Sequence, residues 1–264
     1  GFGIRQVIPK YNPPARTAET VAMLDLISSG RVDFGIGESA TRMELRGFGI
    51  PARQKRDLAL EAAEQIANMM VMDPYPGYEG EGFSMPCRNV IPKPRQKPHP
   101  PIFGATSSES GHYEVGKAGI GLCSFTVGVP PEELIPRIEN YRRGQADCVE
   151  PLGAFRNEQV ATFTMVLCAP TNDEADAAAE ESFTWYPAAG ARLIGSVAEW
   201  LQEKEQALGT YDYAGDAKKL DDDGMLDLLT YDFIRDSGSA VVGDPERCLE
   251  MAKRYEAVGV DLLL

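Results

Sequence analysis

Residues 15–37 read ARTAETVAMLDLISSGRVDFGIG, and this stretch decides the fold class. Its first part, from Ala15 to Leu26, carries apolar residues at helical spacing, whereas Val32–Gly37 is short, β-rich and ended by glycines. We therefore predict a helix that leads directly into a buried strand. A buried strand fed by a helix is typical of a parallel sheet that is covered by helices.

The same alternation of helix and strand continues along the chain, which predicts an α/β protein. A proline-rich run, residues 92–101, is expected to be an extended connector because proline lacks the amide donor that a helix or central strand needs. The remaining predicted strands are Gly3–Ile8, Ile102–Ala105, Gly121–Phe125, Val160–Leu167 and Val260–Leu264. The remaining predicted helices are Arg53–Met72, one ending over Val115–Ala118, Pro131–Arg143, Asp173–Ser182, and a last helix capped at Asp244 that ends at Ala257.

Six predicted strands are two fewer than a closed (β/α)8 barrel requires. We interpret residues 1–264 as one TIM (β/α)8 barrel domain that lacks its first strands and last helix here, and expect the native protein to extend beyond both ends. A doubly wound open sheet is the alternative, although the glycine-rich turn expected after its first strand is missing. Residues 184–238 interrupt the rhythm, which predicts an insertion that is either a lid over the barrel mouth or a solvated loop.

Composition excludes several classes of function. The formal net charge of -14 argues against nucleic-acid and anionic-membrane partners, which are bound by clustered Lys and Arg. Five scattered cysteines, with no C-x-x-C pair, indicate neither a disulfide framework nor a zinc site and favour the reducing cytoplasm. Two histidines are too few for a His-rich metal site, so no metal is predicted. No stretch is long and apolar enough to cross a bilayer.

Candidate binding residues follow the predicted strands, because the loops after the strands form the reactive face of a parallel barrel. The run Thr106–Ser110 places hydroxyls and free amides between a strand and the helix that starts near Gly111, an arrangement that suits a phosphate. The alternative is an N-cap serine cluster with no ligand. Arg56 would bring a cation to the same phosphate, unless it is simply solvated.

Three other polar residues have two possible roles each. Glu38 lies in a glycine-bounded turn, where its carboxylate would either accept hydrogen bonds from a ring or substrate or cap the following turn. His99, between prolines, is expected to be a packed connector residue rather than a base. His112 is at most a secondary candidate for a neighbour of the phosphate.

Three parts of the chain resemble the bacterial luciferase-like flavin-dependent monooxygenases. The first contains Leu24-Asp25-x-x-Ser28-x-Gly30-Arg31, Gly35-x-Gly37 and the segment from Glu44 to Gly49. The second is the connector from Tyr78 to Pro101, and the third is Gly259-Val260-Asp261. The likeness covers residues 1 to about 145 well, is faint through the insertion and returns near Gly243.

The resemblance implies a barrel that binds reduced FMN at the mouth formed by the carboxyl ends of its strands. With O2, the flavin would oxygenate a small organic substrate, and a separate flavin reductase would supply it. Ser107, Ser110, neighbouring amides and Arg56 would hold the phosphate, and Gly3 and Ile4 would lie against the ring. The predicted cofactor site is completed by Glu38, Ser39 and Thr106.

Two departures from the family pattern concern this site. Luciferases commonly carry an arginine after the Gly35-x-Gly37 strand, whereas Glu38-Ser39 takes that place here and removes a phosphate cation. The usual catalytic histidine of the family has no equivalent in this chain, so no catalytic residue is assigned. The alternatives are a deazaflavin-dependent hydride-transfer oxidoreductase of the same superfamily and a non-catalytic flavin-binding barrel. A homo-oligomer is expected in each case.

Overall fold

The computed structural model describes residues 2–10, 12–39, 41–125, 128–196, 198 and 212–264. Its strands are β1 (Phe2–Gln6), β2 (Asp33–Gly37), β3 (Tyr75–Glu79), β4 (Ser84–Arg88), β5 (Ile102–Thr106), β6 (Gly121–Phe125), β7 (Val160–Phe163), β8 (Met165–Cys168), β9 (Ala240–Gly243) and β10 (Leu262–Leu263). Its helices are α1 (Pro14–Ile27), α2 (Arg42–Gly47), α3 (Lys55–Val71), α4 (Glu109–Lys117), α5 (Ile135–Asp147), α6 (Asn172–Gly195), α7 (Asp212–Asp222), α8 (Tyr231–Ser237) and α9 (Pro245–Ala257).

Six of these strands form one sheet in the order β1-β2-β5-β6-β7-β10, and every neighbouring pair is parallel. This order follows the chain, as expected for consecutive β/α units. The prediction of a six-stranded parallel α/β arrangement is therefore confirmed. Two smaller sheets accompany it, the antiparallel hairpin β3-β4 and the parallel pair β8-β9. None of the described helices is long and apolar enough to span a membrane.

The two faces of the sheet pack differently because side chains alternate along each strand. On one face Phe34, Ile36 and Ile102 join the core that includes buried residues of α1 and α3. On the opposite face Phe103 and Cys123 form a smaller cluster with residues of β7 and β10. The larger core therefore lies between the sheet and the helices.

The family-like motif around Asp25 holds the fold together. Asp25 is fully buried, and its carboxylate accepts hydrogen bonds from the backbone amide of Gln96 at 2.7 Å and from its side-chain Nε2 at 2.8 Å. The same Nε2 donates to the carbonyl of Val32 at 2.7 Å. These bonds fasten α1 and the start of β2 to the connector that enters β5. The Asp25 of the motif thus has a structural role.

Helices α4 and α5 pack together through two glycines. A Cβ atom at Gly116 would overlap the carbonyl oxygen of Tyr141, and one at Gly144 would overlap the carbonyl oxygen of Tyr113. Only glycine permits this close backbone contact. The contact fixes the position of α4 relative to the sheet, which matters because the start of α4 borders the candidate site.

Three sequence predictions require correction. The predicted strand Val160–Leu167 is two strands, β7 and β8, which belong to different sheets. The predicted helix Asp173–Ser182 continues to Gly195. The described part of the interval 184–238 therefore contains helices instead of an open loop. Strand β9, which pairs with β8, was not predicted. Residues 199–211 of that interval lie outside the described residues.

The helix and strand predictions in the first half need only small changes. The first helix runs from Pro14 to Ile27 and leads into β2 as predicted. The predicted helix Arg53–Met72 begins with a 3₁₀ turn, Ala52–Gln54, before α3. Helix α4 starts at Glu109, two residues before the predicted start near Gly111. Asp244 caps α9, with Pro245 in its first turn.

Candidate functional site

A cleft with about 520 Å³ of empty volume lies between the sheet and helices α3 and α4. Apolar residues such as Ile36, Ala59 and Val115 form most of its lining. Polar side chains on the lining belong to Glu38, Arg56, Thr106 and Glu114. A concave, largely apolar cavity with a few converging polar groups is the usual form of a small-molecule site.

The polar groups meet at the carboxyl ends of β2 and β5. The register of these strands pairs Ile36 with Gly104, so that Glu38 and Thr106 each follow two residues later. Arg56 reaches the same place from the first turn of α3 and bonds to Glu38 Oε1 through Nη2 at 3.2 Å. The structure therefore brings together Glu38, Arg56 and Thr106, as the sequence predicted for the reactive face.

The turn after β2 is held in an unusual conformation. Ser39 has a φ of 65°, in the left-handed region that non-glycine residues rarely adopt, and it is buried. Its hydroxyl donates to the carboxylate of Glu44, and its carbonyl accepts a hydrogen bond from Lys55 Nζ at 2.7 Å. Such a conformation persists only where surrounding contacts enforce it. The turn therefore presents Glu38 in a fixed position.

One serine of the cluster caps helix α4. Ser108 is the N-cap of α4 and accepts a hydrogen bond from the amide of Gly111 at 3.1 Å. A Cβ at Gly111 would overlap the hydroxyl of Thr106 in its present position, so glycine allows this hydroxyl to lie against the start of α4. The hydroxyl of Ser107 has no hydrogen-bond partner within the described part of the chain, and Ser110 Oγ lies 3.5 Å from Ser108 Oγ. Ser108 thus acts as the cap of α4. Neither Ser107 nor Ser110 is among the residues that line the cleft, and their contact with a phosphate stays a prediction.

Of the remaining predicted cofactor residues, Gly3 and Ile4 lie deeper in the sheet. They pair with Phe34 and Gly35 in the middle of β1 and β2. Glu38 lies four positions after Phe34, a distance of about 13 Å along a strand. These two positions are therefore not part of the polar cluster, and their contact with a flavin ring stays a prediction.

His112 is buried in the layer behind the serine cluster. Its Nδ1 donates to the carbonyl of Ser108 at 2.7 Å, which leaves Nε2 to accept from the hydroxyl of Ser124 at 2.9 Å. Burial lowers the pKa of His112 to about 4, opposed by the bond to Ser108 and reinforced by the positive charge of Arg137. His112 is therefore neutral at pH 7 and links α4 to β6 instead of facing a ligand.

The buried state of His112 predicts a pH-dependent stability. The folded pKa, about 4, lies below the unfolded value of about 6.5, so the folded protein binds fewer protons between these values. The stabilisation is complete above about pH 6.5 and is lost as the pH falls toward 4. Lowering the pH from 7 to 5 should decrease the free energy of unfolding of the wild-type protein by about 2 kcal/mol through protonation of this group. Urea unfolding at the two pH values measures this decrease. His112→Gln should lack that part of the decrease; an unchanged pH dependence in the variant would contradict the assignment.

His99 is also a structural residue, as the sequence predicted. It is 2% exposed, donates from Nδ1 to the carbonyl of Pro100 and accepts at Nε2 from the amide of Ala154. Its ring stacks on Phe155, and burial lowers its pKa. The connector and the segment before β7 are joined by these contacts, so His99 takes no part in the cleft.

A sequence model described as luciferase-like monooxygenase matches residues 2–262. The chain belongs to the luciferase-like monooxygenase family. It is 23% identical over 264 residues to the oxygenase component of a flavin-dependent trigonelline monooxygenase of Acinetobacter baylyi, covering 98% of this chain and 68% of that protein. It is 32% identical over 133 residues to an uncharacterized protein of Sinorhizobium fredii, y4wF, covering half of this chain but only 37% of that protein.

Solved structures of the family share the fold. The FMN complex of the oxygenating constituent of 3,6-diketocamphane monooxygenase from Pseudomonas putida superposes with a TM-score of 0.67 at 18% identity, covering 97% of this chain and 70% of that one. An F420-dependent secondary alcohol dehydrogenase superposes with a TM-score of 0.66 at 17% identity, covering 96% and 68%. The six-stranded parallel sheet thus has the fold of the luciferase-like TIM-barrel structures, and its described strands form an open order from β1 to β10.

Three polar residues outside the cleft lining were not singled out as candidates from the sequence. Lys55 is 1% exposed and lies 3.6 Å from Glu38 Oε1, so a second cation accompanies Arg56. Thr41 and Glu44 have the spacing of a capping box, a pattern in the sequence that predicts the start of α2. Arg137 has two buried nitrogens, Nε and Nη1, with no hydrogen-bond partner in the described part of the structure. Lys55 and the two nitrogens of Arg137 are buried by tertiary packing. Tertiary packing cannot be predicted from the local sequence.

Proposed function

We propose that this protein is a flavin-dependent monooxygenase that uses reduced FMN and O2 to oxygenate a small organic substrate. One observation carries the proposal: within a luciferase-like fold, Arg56, Thr106 and the start of α4 converge at the mouth of one apolar cleft. Hydroxyls, amides and a guanidinium form the donor set that a phosphate monoester requires. The trigonelline monooxygenase oxygenase component and the 3,6-diketocamphane enzyme support the flavin assignment by similarity.

The residues at the cleft fit the phosphate of FMN. In the first turn of α4 the amide of Gly111 bonds to the Ser108 cap, whereas the amides of Glu109 and Ser110 have no acceptor within the helix. The positive end of the helix dipole favours an anion there. Ser107 is not itself a lining residue, but it directly follows Thr106, which is, and we propose that its hydroxyl reaches the phosphate. Arg56, in the lining, adds a charge that is 25% exposed. Lys55 and Arg56 both lie against Glu38, so two cations accompany its carboxylate at this corner of the cleft.

The role of the chain is to bind, orient and shield. Reduced flavin, when bound, supplies the electrons that activate dioxygen. The α4 amides, Ser107, Ser110 and Arg56 would anchor the phosphate end, and Gly3 and Ile4 would lie toward the ring. The apolar lining of the cleft excludes water from the anchored part of the ligand.

No acid or base is assigned to the chemistry. His112 is neutral, buried and bonded on both ring nitrogens, and His99 is buried in the connector. Neither histidine therefore reaches the cleft to move a proton.

The five cysteines are free. Free thiols suit a reducing compartment, and we therefore propose that the enzyme is cytoplasmic.

The proposal requires that a separate flavin reductase supplies the reduced flavin. We expect the purified protein with NADH and catalytic FMN to oxidise NADH no faster than free FMN does. Adding an unrelated flavin reductase should produce substrate oxygenation that depends on both proteins. Rapid NADH oxidation by the purified protein alone would contradict the requirement. Flavin binding without oxygenation of any substrate in a broad panel would favour the non-catalytic barrel.

A deazaflavin-dependent oxidoreductase is the second candidate, because an F420-dependent alcohol dehydrogenase has the same fold. The absorbance spectrum of the cofactor that binds tightly from an equimolar mixture of FMN and F420 distinguishes the two. Preference for FMN supports the monooxygenase. Preference for F420, with substrate oxidation that proceeds without O2, would replace it.

A further inference from the structure

Two free thiols meet where strand β8 ends and helix α9 begins. Cys168 is the last residue of β8, and Cys248 lies near the start of α9. The thiol of Cys248 donates to the carbonyl oxygens of Gly243 at 3.5 Å and Leu167 at 3.8 Å. Leu167 directly precedes Cys168, which pairs with Gly243 in the register of β8 and β9. Cys248 therefore lies over the end of β8, next to the backbone of Cys168.

The alternation of side chains along β8 points Cys168 toward α9. Leu167 packs on the core that contains residues of α6 and α8, so its neighbour Cys168 belongs to the opposite face of the strand. On that opposite face, Val241 of β9 joins the core against which Cys248 packs. The structure accordingly places the thiols of Cys168 and Cys248 in hydrogen-bond contact. Strand register and side-chain alternation thus agree on one thiol pair.

The two thiols differ in accessibility, and this difference sets the order in which they react. Cys168 is exposed, whereas Cys248 is half-buried, and burial raises the pKa of the Cys248 thiol to about 11. Because the thiolate is the form that attacks a disulfide, the accessible Cys168 meets a dissolved oxidant first. Cys248 is then the resolving thiol, and it already lies beside the sulfur that it must attack.

We propose that Cys168 and Cys248 form a redox-sensitive pair, which a low-molecular-weight disulfide such as oxidised glutathione converts to a protein disulfide. Cys168 attacks one sulfur of the oxidant, forms a mixed disulfide and releases one glutathione. Cys248, on losing its proton, attacks Cys168 Sγ, breaks the mixed disulfide and releases the second glutathione. Two electrons pass from the protein to the oxidant, and the protons of both protein thiols leave on the two glutathione molecules. This inference does not depend on the proposed flavin function.

The cross-link would join the two ends of a long chain segment. Helix α6, the interval 184–238 and strand β9 all lie between Cys168 and Cys248 in sequence. The two ends are already held together beside the thiols, because Asn172 and Asp244 share hydrogen bonds of 2.8 and 3.1 Å. A disulfide that fits this arrangement leaves β8 and α9 in place and restricts mainly the unfolded chain. The oxidised protein should therefore unfold at a higher temperature than the reduced protein.

The experiment incubates the full chain in glutathione redox buffers and maps its disulfides by mass spectrometry of unreduced peptides. We expect the wild-type protein to lose two hydrogen atoms in mass and to contain one cross-link, between Cys168 and Cys248. Excess reduced glutathione should restore both thiols. The thermal unfolding midpoint should rise by about 5 °C or more on oxidation. Cys248→Ser should stop at the mixed disulfide of Cys168, whereas Cys168→Ser should form no cross-link.

The matched control is Cys87→Ser, which removes another exposed thiol, in the hairpin strand β4. This variant should form the same cross-link as the wild-type protein and show the same rise of the unfolding midpoint. Loss of the cross-link in Cys87→Ser would mean that the reactive pair includes Cys87, and the assignment to Cys168 and Cys248 would be wrong.

Three results with the wild-type protein would overturn the inference, and none of them depends on whether the serine variants fold. The first is a protein that keeps all five thiols, or stops at the mixed disulfide, under oxidising conditions. The second is a cross-link to another cysteine or to a second copy of the chain. The third is an unchanged or lower unfolding midpoint after oxidation, which would mean that the disulfide distorts the contact between β8 and α9.

Discussion

Replacing both Arg56 and Ser107 with alanine is expected to weaken the binding of reduced FMN about a hundredfold, while riboflavin binding stays at its wild-type value. The guanidinium and the hydroxyl each contribute on the order of 1–3 kcal/mol to a buried phosphate. A tenfold change in Kd corresponds to about 1.4 kcal/mol, so each single variant should lose about tenfold. Anaerobic calorimetry measures all of these dissociation constants.

The control for this prediction is Arg53→Ala, which removes a neighbouring exposed cation of the 3₁₀ turn before α3. It should leave the Kd for FMN and for riboflavin unchanged. Equal losses for riboflavin and FMN in the Arg56 and Ser107 variants would mean that these residues support the ring or the fold. Unchanged affinity for both ligands would mean that the serine cluster is only the cap of α4.

Gly144→Ala is expected to lower the free energy of unfolding by about 3 kcal/mol, because the new methyl group would overlap the carbonyl oxygen of Tyr113. The overlapping atom belongs to the backbone of α4, so relief requires α4 and α5 to separate. Separation would also displace the α4 amides and Ser107, and FMN binding should weaken at temperatures where the variant is still folded. Urea unfolding and calorimetry measure the two effects.

Gly190→Ala supplies the matched control. Gly190 lies in α6 and has nothing within 4 Å of an added Cβ. Because alanine has the higher helix propensity, this variant should be more stable than wild type by about 0.5–1 kcal/mol. If Gly144→Ala is as stable as Gly190→Ala, the close α4-α5 contact does not exist as described.

Local periodicity was sufficient to predict the parallel sheet. The helix before β2, the strand itself and the glycines that end it are all signals within a few residues. The Asp244 cap and Pro245 likewise fixed the start of α9. These features depend on residues that are close in sequence, so they can be predicted from the local sequence alone.

Features that depend on distant neighbours were not predicted. Proline at position 187 suggested an interruption, yet α6 continues through it to Gly195. The break between β7 and β8 occurs where Thr164 donates to the carbonyl of Ser239, a contact between residues 75 positions apart. Strand β9 itself is a short apolar run whose pairing with β8 is visible only in three dimensions.

In the candidate site, too, features that depend on neighbours in sequence were predicted and features that depend on tertiary packing were not. The strand-end rule placed Glu38 and Thr106 on one face, and the structure confirms that they share a cleft with Arg56. Sequence did not reveal that Lys55 is buried against Glu38 or that one oxygen of Glu38 lacks a partner. Burial and satisfaction of a polar atom depend on which helices pack around it, so they cannot be read from spacing alone.

The most direct test of the central claim is the map of backbone amide chemical shifts on adding FMN, compared with riboflavin. We predict that FMN produces its largest changes at Ser107–Gly111 and that both ligands shift Glu38 and Ser39. Riboflavin should leave the amides of the first turn of α4 almost unchanged. Large FMN shifts elsewhere in the protein, with Ser107–Gly111 unaffected, would contradict the placement of the flavin at this cleft.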